Sequence, residues 1–263
     1  MPASTADPAD PSLPTPPILT PHIAYIDIIS NMLIGKTPQF ISTYRATFCS
    51  TSPTSLGLAA YTNCDDRVLY IIANTTGPEM CTCAQAPEDV ILYARLANST
   101  LQLHIPDAER RLPYDYPLAP RTVSRPINPS HIPHIVTAAF RAAGRIYALA
   151  LVPGFHRRSA AVRSLVERLV QPLSLLLEAD YPIDVGLIWV CIVGGAASVR
   201  GDCLSVLLGW RLEVEVKRGR VGEDSFWNIM TTLMEGWGED DDTREGMGGW
   251  VDVMYGLYTN VSS

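Results

Sequence analysis

The chain has 263 residues, 47% hydrophobic and 18% charged, which allows one large domain or two small ones with ample material for a core. A net charge of -7 and a sequence pI of about 5.2 oppose phosphate, so specific DNA binding by this chain is not expected. The uncharged and almost wholly apolar run Val185–Val199 falls short of the ~20 residues that span a bilayer, so we read it as a buried helix and expect no membrane partner.

Residues 1–21 are rich in Pro, Ala, Ser, Thr and Asp, with neither a basic start nor an apolar centre. They read as a disordered tail rather than a secretory signal, because they cannot bury enough surface to offset their ordering entropy. The domain is expected over 22–263. Ile23–Leu33 suits a helix with Ile23, Ile26, Leu33 and Ile34 facing inward, ended by Gly35 and Pro38. Gln39–Phe48 suits a second short helix, followed by a Ser/Thr/Pro-rich loop from Ser50 to Ser55. Asp65 or Asp66 is placed to cap a helix running to Ala73, stopped by Gly77-Pro78. Pro87, with Glu88 and Asp89 in the first turn, opens another through Leu96 toward Leu103.

From Leu112 to Pro133, prolines at 113, 117, 120, 126, 129 and 133 predict an extended linker inside the domain rather than a boundary between two. Ser130 is expected to cap the following helix, where Ile132, Ile135, Val136, Ala139, Phe140, Ala143, Ile146, Tyr147, Ala150 and Leu151 form a broad apolar stripe. Arg141 and Arg145 are expected on its other side. After Pro153-Gly154, Ser159 starts a helix buried through Val162, Leu165, Val166, Leu169, Val170, Leu173, Leu176 and Leu177, with a kink expected at Pro172. Asp184 opens the helix over Val185–Val199, apolar nearly all round and therefore central. Asp202 caps another with Cys203, Val206, Leu207 and Trp210 at helical spacing; the alternation in Leu212–Val216 leaves a short strand open there. Phe226–Met234 suits one more helix, and Gly236–Gly249, with Glu239-Asp240-Asp241-Asp242, suits a solvated loop. The fold class is thus all-α: an irregular helical bundle around a central apolar helix.

Catalytic groupings are missing along this path. There is no G-x-S-x-G elbow, and Gly194-Gly195 sits in an apolar helix without the strand that a dinucleotide fingerprint follows. Small residues there suit close helix packing. The six cysteines, Cys49, Cys64, Cys81, Cys83, Cys191 and Cys203, are scattered and read as reduced thiols. Cys81-Thr82-Cys83 lacks a second pair at finger distance, and His131 and His134 lack a neighbouring carboxylate or cysteine. We therefore expect no catalytic, cofactor-binding or metal-ligating residue and no cofactor. Arg200-Gly201-Asp202 reads as a helix boundary, and Lys217-Arg218-Gly219-Arg220 as a charged helix end.

The order of packing motifs resembles a known family. Ala24-Tyr25-Ile26-Asp27-Ile28-Ile29-Ser30 precedes Gly35-Lys36-Thr37-Pro38 and Thr43-Tyr44-Arg45. Asn63-Cys64-Asp65-Asp66-Arg67-Val68 follows, then the helix around Phe140 and Tyr147, the Leu151–Phe155 break and the Trp-containing Leu187–Ala196 segment. This order is similar to the regulatory domain C-terminal to the zinc-cluster DNA-binding module of fungal transcription factors. The family's proline after the tryptophan is Val190 here, which implies a straighter helix, and its cluster of six closely spaced cysteines is absent from these residues. The resemblance implies a nuclear, non-enzymatic regulatory domain working through protein partners of the transcription machinery or as a homo-oligomer, and it leaves room for tuning by a small ligand that no residue here names. A helical small-molecule enzyme is the alternative.

Overall fold

The structure, a computed structural model, describes residues 21–33, 36–49, 55–75, 95–102, 128–152, 155–179, 181, 187–219 and 230–231. Every regular element among them is helical, as the sequence pattern required. The expected tail lies outside the described residues apart from Pro21, and so does the expected linker as far as residue 127.

Helix α1 (Pro21–Leu33) starts on a proline, whose missing N–H costs nothing in a first turn. It buries Ala24, Tyr25, Ile28, Ile29 and Met32. The expected inward face is corrected here: Ile23 and Ile26 are each 48% exposed. The reason is Asp27, which cannot be inferred to point inward from apolar spacing. Its carboxylate accepts from Gln39 N (2.9 Å), Phe40 N (3.1 Å) and Tyr44 Oη (2.7 Å), tying α1 to the entry of α2 (Ile41–Cys49). Those bonds turn the 24/28/32 face to the core. Leu33 and Ile34 have no described side chains.

Gly57 precedes the short α3 (Leu58–Thr62) with φ 73°, a conformation that a side chain resists. Asp65 is the cap of α4 (Asp66–Thr75), its Oδ1 accepting from Arg67 N at 2.8 Å. Residues 95–102 form α5. Before α6 (Ile132–Ala150) the chain makes a 3-10 turn over Pro129–His131, so the last prolines of the expected linker enter helical structure. Asn128, not Ser130, is the capping residue: its Oδ1 accepts from Ser130 N at 3.1 Å. Ser130 lies two positions past that cap, inside the turn, and His131, at the cap position of α6, makes no side-chain cap bond.

Ser159 and Asp202 cap α7 (Ala160–Glu178) and α9 (Cys203–Lys217), as their positions predicted. Helix α7 continues through Pro172. Helix α8 (Ile188–Ala197) is the central apolar one, shorter than Val185–Val199; Leu187 stands at its cap position, and Asp184 lies outside the described residues. It packs on α6, α7 and α9, while α6 and α7 form the most extensive pairing and α4 covers α6. A Cβ on Gly194 would stand 2.6 Å from Leu169 Cδ2 and 3.0 Å from Leu204 Cδ2, so the bare backbone lets α8 approach both neighbours. Gly144 does the same on α6 toward Ile72 and Leu101.

The possible strand at 212–216 is helix instead, because α9 continues to Lys217 with Leu204, Leu208, Arg211 and Glu215 buried at helical spacing. Arg141 and Arg145 do not face solvent as expected. Arg141 is buried and donates to Leu101 O at 3.1 Å, and Arg145 Nε donates to Asn98 Oδ1 at 2.9 Å, so both hold α5 against α6. Of the expected helix at Phe226–Met234 only Met230 and Thr231 are described; both are helical and Met230 is buried.

Candidate functional site

The buried carboxylates are occupied by the fold itself. Asp27 also accepts from Asn31 Nδ2 at 2.9 Å, beyond the three donors already named. Asp66 accepts from Ser55 Oγ (2.7 Å), Gly57 N (3.1 Å) and Ala59 N (2.6 Å), fixing the turn into α3. Glu215 pairs with Arg211 at 2.9 Å one helical turn away, and Arg211 Nη1 donates to Leu177 O at the end of α7. Backbone amides, hydroxyls, one side-chain amide and two guanidiniums consume these groups.

The centre of the molecule is aromatic. Trp189 is fully buried on α8; the Phe140 ring lies 6.0 Å away with planes 9° apart, and Tyr147 meets it edge-on at 5.8 Å. Its indole N–H finds no acceptor among the described residues. Cys191, two residues on, is buried too, and burial pushes its thiol up to about 12 despite the opposing pull of Arg211. Such a thiol stays protonated and unreactive. Burial likewise holds the Tyr25 phenol above its ordinary range, and burial together with the Asp27 hydrogen bond does so for Tyr44. The Arg145 guanidinium is drawn the other way, by burial and by Arg168. These groups are locked in their neutral or packed forms.

The surface offers something different at the junction of α7, α8 and α9. Arg163 on α7 forms an ion pair with Asp202, donates from Nε to Arg157 O at 2.7 Å and from Nη2 to Ala197 O. Asp202 also accepts from Val199 N (2.9 Å) and Ser205 N (2.7 Å). One guanidinium thus closes the C-terminus of α8, where a cation suits the dipole, against the capping acid of α9, where an anion suits it. The segments 155–159 and 198–202 are clasped together, and they carry the exposed His156, Arg158 and Arg200.

From that junction α9 runs outward. Cys203, Val206, Leu207 and Trp210 are expected at helical spacing, and the spacing holds; Leu207 is half-buried, while Cys203, Val206 and Trp210 form an exposed face. Val206 is 62% exposed and Trp210 44%. Leu204 and Leu208 turn inward instead. Sequence spacing alone does not say which of two apolar stripes a helix buries. Among the other residues singled out, His131 is exposed and His134 half-buried at the start of α6; Lys217 and Arg218 end α9, with Arg218 3.6 Å from Glu215. Arg220, Cys81, Cys83 and the acidic run Glu239–Asp242 lie outside the described residues. Those described include no group of three metal-ligating side chains and no helix long and apolar enough to cross a membrane.

The packing motifs meet one another in space. Asp27 of the opening motif bonds Tyr44 of the second; Asn63 Nδ2 donates to Tyr181 Oη at 2.9 Å, and Asp65 N to Thr137 Oγ1 at 3.0 Å. Residues 14–262 match the fungal-specific transcription factor domain. The chain belongs to that family. The match covers α1 to α9, so the contacts just described lie within the matched stretch. Over 214 residues the chain is 30% identical to the transcriptional regulatory protein pro1 of Neurospora crassa. That stretch is 80% of this chain and 29% of the relative, so the chain spans less than a third of that protein's length. No solved structure matches the chain. Val190, in the place of the family's usual proline, lies inside α8, which carries its backbone through that position as helix.

Proposed function

We propose that this chain is a regulatory domain of a fungal transcription regulator, acting in the nucleus through protein partners rather than through its own contact with DNA. The observation that carries this is the family match over residues 14–262. The similarity to pro1, itself a transcriptional regulatory protein, supports it. A net charge of -7 supports the division of labour, since phosphate is repelled by such a surface. The enzyme alternative gains no support from the interior: Asp27 and Asp66 are engaged by four and three donors respectively, and the Cys191 thiol is held protonated.

The test is a tethering assay. The full chain, fused to an unrelated DNA-binding module, should raise or lower transcription of a reporter carrying that module's sites in a fungal cell. The same chain without the module should leave the reporter unchanged. Reporter output equal to that of the module alone, at equal protein level, refutes the proposal. So does sequence-selective DNA binding by the isolated chain at nanomolar concentration, the range of true DNA readers.

A further inference from the structure

The junction and the outward stripe of α9 lie end to end, and their chemistries differ. The junction carries the exposed Arg158 and Arg200 on the two segments joined by the Arg163–Asp202 ion pair, in a chain that is acidic overall. Arg163 is spent on Asp202, Arg157 O and Ala197 O. Arg158 and Arg200 are exposed and have no ion-pair partner among the described residues. The stripe begins at Cys203, the first residue past Asp202, and continues one-sidedly through Val206 and Trp210. An exposed Trp and Val on one helix face, next to unpaired arginines, is the composition found at protein interfaces rather than on idle surface.

We propose that this face docks an acidic amphipathic segment of a partner protein, carboxylates on Arg158 and Arg200 and apolar side chains along Val206 and Trp210. The proposal rests on the reading of the chain as a partner-binding regulatory domain and names the chemistry of the partner. Arginine is suited to it because its planar fork takes a carboxylate bidentately. Tryptophan is suited to it because it offers a large rigid contact. The clasp of Arg163 and Asp202 contributes by holding the two arginine-bearing segments in fixed relation before binding, so less ordering remains to be done when the partner arrives. From Cys203 to Trp210 the stripe rises ~10 Å, so a partner helix of about three turns covers stripe and junction together. Nucleic acid fits less well. An apolar stripe offers nothing to phosphates; the exposed Glu213, one turn beyond Trp210 on the same side of α9, repels any anion at that end and so assigns the partner's carboxylates to the junction.

The experiment uses the full chain and a labelled synthetic peptide of about three to five helical turns, with Asp and Glu on one face and Leu and Phe on the other. A scrambled peptide of the same composition, with no common apolar face, is the control. Fluorescence anisotropy should show binding of the amphipathic peptide that weakens with salt, and at least tenfold weaker binding of the scramble. Arg158→Glu with Arg200→Glu, and separately Val206→Ser with Trp210→Ser, should each weaken it about tenfold or more while the melting temperature stays close to that of the unaltered chain. Equal affinity for both peptides, undiminished binding by either variant pair, or preference for duplex DNA at the same salt overturns the proposal. So does a dimer of this chain, seen by sedimentation, that buries the stripe. In the tethering assay, reporter output untouched by both variant pairs overturns this docking face and leaves the transcriptional reading standing; a silent fusion of the unaltered chain removes that reading instead.

Discussion

Replacing Trp189 with alanine is the most direct probe of the core. The side chain is fully buried between Phe140 and Tyr147, and a Trp buries roughly 150–250 Å². At about 25 cal/mol per Å² that burial is worth ~4–6 kcal/mol, an upper figure because the unfolded chain already shields part of the surface. The unpartnered indole N–H works in the opposite direction, since removing a buried donor that lacks an acceptor returns ~1–3 kcal/mol. We therefore expect Trp189→Ala to cost about 3 kcal/mol, at the lower end for loss of a large core aromatic. Trp189→Phe keeps a ring against Phe140 and deletes the unpaired donor, so its cost should be roughly half or less. Urea unfolding followed by the helical circular dichroism signal measures both, through the shift in midpoint at unchanged slope. A loss under about 0.5 kcal/mol for the alanine variant would mean that Trp189 behaves as a surface residue and would refute the central placement of α8. A phenylalanine variant worse than alanine would refute the account of the indole N–H.

Three further predictions concern buried polar groups. Tyr44→Phe removes the 2.7 Å phenol–carboxylate bond to Asp27 and should cost ~1–2 kcal/mol in the same unfolding assay; no change would show that Asp27 is satisfied without it. The Tyr25 and Tyr44 phenols are held above the unfolded value of about 10, so the folded chain keeps protons that the unfolded chain releases; stability is full below that pH and falls as pH rises past it. The urea midpoint should decline from about pH 10 upward, less steeply in Tyr44→Phe, and an identical slope in the two proteins would refute the assignment. Glu215→Ala leaves the Arg211 charge buried and should cost ~3–5 kcal/mol, whereas Arg211→Met with Glu215→Leu should lie near neutral; comparing the single with the double variant decides whether the pair stabilises or merely tolerates its site.

Much of the helical order was legible because it depends on local signals. Ser159 and Asp202 sit immediately before apolar-periodic runs, and each supplies the side-chain acceptor that a first turn lacks. The stripes on α6 and α7 were broad enough to leave one face to bury. Legibility failed where a polar residue decided the orientation. On α1 the apolar residues occur on nearly every side, and Asp27, through bonds to residues 39, 40 and 44, selects which side is inside. On α6 the two arginines looked like a solvent face, yet Arg141 is buried because a backbone carbonyl of α5 awaits it. On α9 the alternation at 212–216 suggested strand, but Arg211 and Glu215 go inward as a pair and carry the helix on. In each case the partner lies in another element or depends on burial, and a local pattern contains neither.

The candidate surface was less legible for a related reason. Arg200-Gly201-Asp202 offered only a helix cap, and that part of the reading was correct: Asp202 Oδ1 accepts from Ser205 N. What the tripeptide cannot reveal is that Asp202 Oδ2 also meets Arg163, 39 positions earlier, whose other nitrogens reach Arg157 O and Ala197 O. The junction is thus a product of three elements meeting, and its excess positive charge is invisible in a chain whose total is -7. The stripe beside it was visible as spacing alone, with no sign of which way it faces. An amphipathic pattern fixes the period of a helix; which stripe faces inward follows from what the neighbouring helices leave uncovered, and α7 and α8 contact α9 through Leu204, Leu208 and Arg211. Val206 and Trp210 are left outside by that choice. Burying them in place of Leu204 and Leu208 would rotate α9 and bring Arg211 and Glu215 into water. It would also remove Leu204 from the approach to Gly194 that lets α8 and α9 pack closely.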